Sequence, residues 1–108
     1  MSKYHNRKVT QGGETFDSVK EYRRFCELRL LERAGAVTDL RRQVRFELIP
    51  AQRVDGKVAE RACSYVADFV YMENGQQVVE DAKGMRTQEY RLKRKLMLWV
   101  HGIRIRET

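Results

Sequence analysis

Two aspartates and a lysine, Asp68, Asp81 and Lys83, flank a segment whose sequence predicts a tight turn. The dipeptide Asn74–Gly75 is typical of the two-residue loop of a β-hairpin. Counting outward from that loop places Asp68 directly opposite Asp81. Opposed residues of an antiparallel pair hold their Cβ atoms about 4.5–5.5 Å apart on one face of the sheet. The spacing therefore aims two carboxylates at one place, and strand alternation puts Lys83 on the same face.

Burial of this acidic pair would need compensation. Like charges placed opposite each other destabilise a sheet, and the strand that carries Asp68 is apolar almost throughout. A divalent cation would offset that cost, and a close pair of oxygen ligands suits Mg²⁺ or Mn²⁺ better than zinc. The alternative is a structural ion pair between Asp68 and Lys83 or an arginine. Two facing aspartates with a lysine two residues on favour the metal site.

Glu21 is a fourth candidate group. It stands at helical spacing from Phe25 and Leu28, so it lies on the side of the first predicted helix that should pack on the sheet. It also follows Ser18 at the spacing of a capping box, in which the glutamate satisfies a backbone amide at the helix start. The two roles are compatible, and the sequence supports both.

The elements that position these groups follow from apolar spacing. The segment 18–34 has helical periodicity and is closed by Gly35, which predicts a first helix. Loose alternation over 40–48, ended by Pro50, predicts a strand with one exposed face. A polar loop is expected around Asp55–Gly56.

The second half of the chain continues the pattern. The apolar segment 62–71 predicts a central strand covered on both faces, with 77–83 as its hairpin partner. Alternation along 77–83 sends Glu80 and Ala82 to the face opposite Asp81. Thr87 can cap a second helix that ends at Gly102, and an edge strand follows it. The predicted fold is α+β, in the order helix, three strands, helix, strand.

Length and composition bound the class of protein. A chain of 108 residues, 42% hydrophobic, has room for one domain, which we place at 16–108 after a basic arm or short hairpin at 1–15. No apolar run approaches the roughly 20 residues that cross a bilayer, and no secretion signal opens the chain, so we expect a soluble, cytoplasmic protein without a membrane partner. Cys26 and Cys63 are expected to be reduced and packed.

The formal charge of +7 favours a polyanionic partner, and nucleic acid is the commonest polyanion in a cytoplasm. Basic residues are densest in the second helix and its lead-in. Many of them could simply form a solvated face, and Gln43 is explained more simply as an exposed strand residue. The candidate DNA-binding residues are Arg86, Thr87, Lys93, Lys95 and Gln43.

The aromatic residues could stack on bases, but at helical and strand spacing they are more often part of a core. We therefore expect Trp99 and the tyrosines to be packed inside the domain.

The arrangement resembles the PD-(D/E)XK nuclease core, whose element order is α-β-β-β-α-β. More narrowly, it is similar to a family of small phage and prophage nuclease-like proteins of that superfamily, over roughly 16–105. Two positions depart from the pattern: Ala67 replaces the proline before the first aspartate, and Asp81 stands where glutamate is more usual. Neither removes a ligand, although a shorter carboxylate would move the metal. The matching segments are 16–21, 65–69, 79–84, Thr87 and 90–93.

The resemblance implies a restriction-endonuclease-like core with a mixed central sheet flanked by helices, and a metal-dependent DNA endonuclease activity. Asp68 and Asp81, with the carbonyl of Ala82, would bind Mg²⁺, for which Mn²⁺ can substitute. Glu21 would hold a metal-bound water or a second ion. Lys83 would orient the nucleophile or stabilise the transition state of phosphodiester hydrolysis.

The substrate is left open among duplex, branched and single-stranded DNA, with Holliday junctions included and RNA not excluded. A homodimer is expected, because two identical sites cut two strands most simply. The alternative function is that of a non-catalytic nucleic-acid-binding accessory protein that retains the fold. Retention of the four polar groups favours catalysis, because binding alone requires no paired acids facing a polyanion.

Overall fold

The computed structural model describes residues 8–82 and 86–108. Within these ranges the chain forms a mixed α+β fold, which confirms the predicted class at that level. In chain order the elements are β1 (Val9–Gln11), β2 (Glu14–Phe16), α1 (Val19–Arg33), β3 (Thr38–Ile49), β4 (Gln52–Val54), β5 (Lys57–Glu60), β6 (Cys63–Glu73), β7 (Gln76–Asp81), α2 (Gln88–His101) and β8 (Arg106–Glu107).

The central sheet has the strand order β3-β6-β7-β8. β6 pairs antiparallel with both β3 and β7, whereas β8 runs parallel to β7. The β6–β7 register runs from Glu73 opposite Gln76 to Phe69 opposite Glu80, as the Asn74–Gly75 loop predicts. This part of the sequence-based prediction is confirmed.

Two small hairpins lie outside the central sheet. The described part of the predicted arm or hairpin at 1–15 belongs to the β1–β2 hairpin. At the expected polar loop, Asp55 and Gly56 form a tight turn, and the residues on either side pair as the β4–β5 hairpin, which the sequence analysis did not predict. Both turn residues have positive φ, 51° and 75°, the conformation that favours an Asp-Gly pair in a tight turn.

Both helices begin and end where the sequence predicts. Ser18 caps α1 by accepting a hydrogen bond from the Glu21 amide at 3.0 Å, and Thr87 caps α2 by accepting from the Tyr90 amide at 3.1 Å. Gly102 ends α2 in the left-handed conformation with φ 67°. Among the described residues, no helix is long and apolar enough to span a membrane.

The core consists of two apolar clusters, one against each helix. The cluster against α2 contains Leu48, Tyr65, Ala67, Val70, Val79, Tyr90, Met97 and Ile105. The cluster against α1 contains Leu28, Val37, Phe69, Tyr71 and Ala82. β6 contributes to both clusters, which confirms that it is covered on its two faces.

Two expectations about the core fail. Trp99 is 84% exposed, because it lies on the side of α2 that faces away from Tyr90 and Met97. Cys26 is also exposed, while Cys63 is half-buried, and both are free thiols as expected. Helical spacing indicated an amphipathic helix but not how wide its buried side would be.

Candidate active site

Asp68 and Asp81 lie side by side at the end of the β6–β7 pair. The last paired residues of this ladder are Phe69 and Glu80, so the next residue on each strand is one of the two aspartates. Both side chains are buried, at 1% and 2% exposure. The Ala82 amide donates to Asp68 Oδ2 at 2.8 Å, which ties the end of β7 back to β6. The register therefore agrees with the predicted opposition of the two acids as far as the last pair, one position before them.

Tyr65 is a further member of this cluster that the sequence analysis assigned only to the core. Its hydroxyl donates to Asp81 Oδ2 at 2.7 Å. Burial raises the pKa of Tyr65 well above its ordinary value, and the hydrogen bond to Asp81 and the negative charges of Asp81 and Asp68 raise it further. Tyr65 therefore stays protonated and holds one oxygen of Asp81 in place.

The sheet changes its facing pattern at Asp68. Tyr65 and Ala67 pack against α2, whereas Phe69 and Tyr71 pack against α1, so the strict alternation of β6 is broken between Ala67 and Phe69. An unbroken alternation would keep all four side chains on one face. The residues on either side of Asp68 therefore pack against different helices: Ala67 against α2 and Phe69 against α1.

The neighbouring strand breaks at the same level. In β3, Arg42 points to the α1 side and Val44 to the α2 side, and Gln43 between them has φ 54°. Arg42 pairs with Phe69 and Val44 with Ala67, so Gln43 is opposite Asp68. A glutamine held in the left-handed backbone conformation within a strand costs of order 1–3 kcal/mol of folding free energy. Such strain is most often retained at functional sites.

Glu21 is buried on α1, at 2% exposure, and its carboxylate reaches across to β3. Its Oε2 accepts from Arg42 Nη2 at 3.1 Å and from Gln43 Nε2 at 3.3 Å. The Ser18 half of the capping box is present, since Ser18 accepts from the Glu21 amide. Gln43 thus connects the Glu21 carboxylate to the strand position that faces Asp68. It is exposed, as the simpler interpretation has it, yet it belongs to this network.

Arg42 was missed by the sequence analysis. Its guanidinium carbon lies 3.8 Å from the ring centroid of Phe16, and its Nη1 donates to Glu14 at 3.0 Å. Its Nε is buried without a hydrogen-bond partner among the described residues. The sequence could have indicated it, because Arg42 stands at an inward position of the alternation from Leu40 to Leu48, where the other residues are apolar.

Glu80, the acid beside Asp81, lies on the other face of β7, as strand alternation predicts. It is fully buried and receives Arg24 Nε at 2.6 Å and Arg24 Nη2 at 3.1 Å. The hydroxyls of Tyr71 and Thr108 donate to it at 2.6 and 2.9 Å. Glu80 is therefore neutralised inside the fold, and its role is structural.

Two arginines, Arg86 before α2 and Arg94 within it, contact Glu107. Its Oε2 lies 3.1 Å from Arg86 Nε and 2.8 Å from Arg94 Nη1, and it accepts from the Tyr90 hydroxyl at 2.7 Å. The hydrogen bond from Tyr90, followed by those from Arg94 and Arg86, lowers the pKa of Glu107 to about 2. Arg86, a predicted DNA-binding residue, is thus paired within the protein.

Thr87 and Lys93 line a cavity of about 270 Å³ next to Tyr65. Lys93 Nζ is 3.7 Å from Glu89, whose side chain is largely exposed. Lys95 is exposed and borders a different groove, next to Arg104. Thr87 and Lys93 therefore line the cavity beside Tyr65, whose hydroxyl donates to Asp81, whereas Lys95 borders the other groove.

The described residues contain no group of three or more His, Cys, Asp or Glu side chains arranged to hold a metal ion. The remaining donor set is the pair Asp68 and Asp81 with the Ala82 carbonyl, all of them oxygen atoms. One or two carboxylates with several waters are the usual protein contribution to a Mg²⁺ site, so these donors fit. Lys83, the predicted catalytic cation, lies outside the described residues.

Comparison with known proteins places the chain in a family. Residues 1–103 match the model of the family described as "Protein of unknown function (DUF1064)". Neither the curated proteins nor the solved structures yield a match to this sequence. The matched segment includes both helices, both candidate aspartates and Glu21. The protein belongs to the DUF1064 family.

Proposed function

We propose that this protein is a metal-dependent DNA endonuclease that hydrolyses phosphodiester bonds, with a core of the PD-(D/E)XK type. The observation that carries the proposal is the burial of Asp68 and Asp81 side by side where β7 separates from β6. The order of the elements around them, with Glu21 on the helix before and α2 after, supports the same assignment.

The chemistry of the donors supports a hard cation. Asp68, Asp81 and the Ala82 carbonyl would hold Mg²⁺, with Mn²⁺ as a substitute, because each contributes oxygen. When bound, such an ion supplies a water of lowered pKa and neutralises charge on the phosphate. The cost of placing two carboxylates together in an apolar setting is thereby offset.

The protein's own contribution is to hold the ligands in position. Tyr65 orients Asp81 through its hydroxyl, and the Ala82 amide orients Asp68. Such supporting hydrogen bonds matter because loss of one typically costs about 10–100-fold in metal affinity or activity. Glu21, held by Arg42 and Gln43, would orient the attacking water. Lys83 would stabilise negative charge as it develops on the phosphate.

The start of α2 is the side from which a DNA backbone would approach. Thr87 and Lys93 line the cavity next to Tyr65, and a helix N-terminus with a nearby cation favours phosphate. Two sites in a homodimer would cut two strands. Because these contacts release counterions, we expect DNA affinity to fall steeply as salt is raised.

The deciding experiment incubates the purified protein with supercoiled plasmid and with a synthetic four-way junction. Each substrate is tested with Mg²⁺, with Mn²⁺ and with chelator. We expect cleavage with either metal, abolished by chelator and by Asp81→Asn, while the variant binds DNA as tightly as the wild type or more tightly. The matched control is Asp55→Asn, which makes the same change in an exposed turn where asparagine tolerates the positive φ.

Cleavage at full rate by Asp81→Asn would refute the assignment of the site. Tight DNA binding by the wild type without cleavage under any metal condition would instead favour the alternative, a non-catalytic nucleic-acid-binding accessory protein.

A further inference from the structure

The outward side of α2 carries an exposed row that packs on nothing within the described residues. Arg91, Lys95 and Trp99 follow one another at four-residue spacing, which places them along a single ridge of the helix. All three are exposed, and Trp99 is the most exposed large apolar residue described, at 84%. Leu92 lies beside this row and is 58% exposed. We call Arg91, Leu92, Lys95 and Trp99 the α2 ridge.

The ridge starts next to the candidate active site. Thr87, four residues before Arg91, occupies the same row and lines the cavity beside Tyr65. From Thr87 to Trp99 the helix rises about 18 Å at 1.5 Å per residue. That length corresponds to about five nucleotides of one strand at 3.4 Å each. A strand leaving the cavity could therefore reach Trp99 along the basic row.

The positive charge of the α2 ridge favours a negatively charged partner over a second copy of the chain. α2 carries Arg91, Lys93, Arg94 and Lys95 against one acid, Glu89. A second copy of the same ridge would bring Arg91 and Lys95 against their equivalents, and such like-charge contacts are unfavourable. A polyanion has the opposite charge, and an indole beside two cations matches the combination of base stacking and phosphate contact found in single-strand binders.

We infer that the α2 ridge binds single-stranded nucleic acid, with phosphates on Arg91 and Lys95 and an unpaired base stacked on Trp99. This inference rests on the proposed function for its polyanionic partner and adds a substrate class, DNA that carries unpaired bases. In a paired duplex the bases are stacked on one another and leave no face for Trp99 to contact.

The first test uses the protein's own fluorescence. Trp99 is the only tryptophan in the chain, so its emission reports on the ridge alone. In chelator, titration with oligothymidylate should quench the emission to saturation, and added salt should reverse the quenching. A blunt duplex of the same length should quench it less. Binding of oligothymidylate with unchanged emission would overturn the inference.

Variants separate stacking from charge. Trp99→Ala should weaken oligothymidylate binding by roughly 5- to 150-fold, since stacking on an aromatic side chain is worth about 1–3 kcal/mol per base. Trp99→Phe should retain most of the affinity. Lys95→Gln should lower the slope of log affinity against log salt by about 1. The control, Leu30→Ala, removes another exposed apolar side chain, from α1, where Leu30 is 63% exposed.

A second copy of the chain is the competing occupant, and sedimentation measures it. If Trp99→Ala converts a dimer to a monomer and leaves oligothymidylate affinity per monomer unchanged, the ridge is a self-association face and the inference is wrong. An unchanged oligomeric state with lost affinity supports it.

The two proposals fail separately. If oligothymidylate quenches Trp99 in a protein that cleaves no substrate, the proposed nuclease activity is wrong and the proposed binding by the α2 ridge is supported. If the protein cleaves DNA with metal but its Trp99 emission does not respond to oligothymidylate, the proposed binding by the α2 ridge is wrong and the proposed nuclease activity is supported.

Discussion

Two acidic sites lie on opposite faces of β7, one residue apart, and they are built differently. On the α1 face, the single carboxylate of Glu80 receives a guanidinium and two hydroxyls. On the α2 face, Asp81 lies beside a second carboxylate, Asp68. The first arrangement pairs one carboxylate with one guanidinium, whereas the second places two carboxylates next to each other.

The difference shows that burial of an acid does not identify a functional site. Glu80 is as buried as the aspartates, but Arg24 neutralises it and Tyr71 and Thr108 complete its hydrogen bonds. A buried ion pair of that kind is a structural contact. Two adjacent carboxylates, supported by hydroxyl and amide donors and faced by a strained Gln43, form the site at which we propose that a metal ion binds.

The largest expected effect on stability is at Glu80. Glu80→Gln should lower the free energy of unfolding by about 3 kcal/mol, the lower end of the range for breaking a buried ion pair, because Arg24 keeps 22% of its side chain exposed. Chemical denaturation measures this loss. Asp81→Asn should cost less, because it relieves repulsion with Asp68.

The control for Glu80 is Glu27→Gln, which removes a contact 4.0 Å from the same Arg24 at the surface and should change stability by less than about 1 kcal/mol. If Asp81→Asn were as destabilising as Glu80→Gln, the two acidic sites would contribute equally to stability, and the distinction between them would be wrong.

The two tyrosine hydroxyls give a matched pair of smaller changes. Tyr71→Phe and Tyr65→Phe each remove one hydrogen bond to a buried carboxylate, which is worth about 1.5–3 kcal/mol, and Tyr71→Phe also removes the bond that the hydroxyl accepts from Arg106. Both should lower stability in this range. Only Tyr65→Phe should also weaken Mg²⁺ binding, by about 10–100-fold, because it alone orients a proposed ligand.

Titration calorimetry with Mg²⁺, which needs no catalysis, measures this difference. Equal Mg²⁺ affinity in the two tyrosine variants would show that Tyr65 has no part in positioning a metal ligand.

The smallest expected effect is at Gln43, the strained residue opposite Asp68. Gln43→Gly removes the side chain that makes φ 54° unfavourable, and it also removes the amide that donates to Glu21. These effects nearly cancel in stability, so we expect a change within about 1 kcal/mol. Cleavage should nevertheless fall, because the Glu21 carboxylate loses a donor that positions it.

Gln43→Asn serves as the comparison, since asparagine also tolerates positive φ but its shorter amide cannot reach as far. A variant Gln43→Gly that is markedly more stable and fully active would show that the strain serves no function at this site.

Several features were readable from the sequence because they depend on neighbours along the chain. Asn74–Gly75 set the β6–β7 register and with it the placement of Asp68 and Asp81, each one position beyond the last paired residues. Ser18, Thr87 and Gly102 marked the helix ends, since a cap acts on backbone groups within one turn. The Asp55–Gly56 signal was equally local, and it was interpreted only as a loop although it carries the same turn chemistry.

Other features depend on contacts between distant segments. The period of a strand predicts unbroken alternation, so the reversal at Gln43 and Asp68 could not be anticipated from either strand alone. The Arg42–Glu21 and Arg24–Glu80 pairs join residues 21 and 56 positions apart. The aromatic content of α2 did not reveal that Trp99 would face outward.

The sequence by itself determined the turns, the helix caps and the placement of the two aspartates, because each is decided by hydrogen bonds between residues close along the chain. Only the tertiary structure decided that Glu80 pairs with Arg24, which strand positions change face and which aromatic side chain stays exposed. Those outcomes are set by how the two helices cover the sheet, since burial and charge pairing depend on neighbours in space.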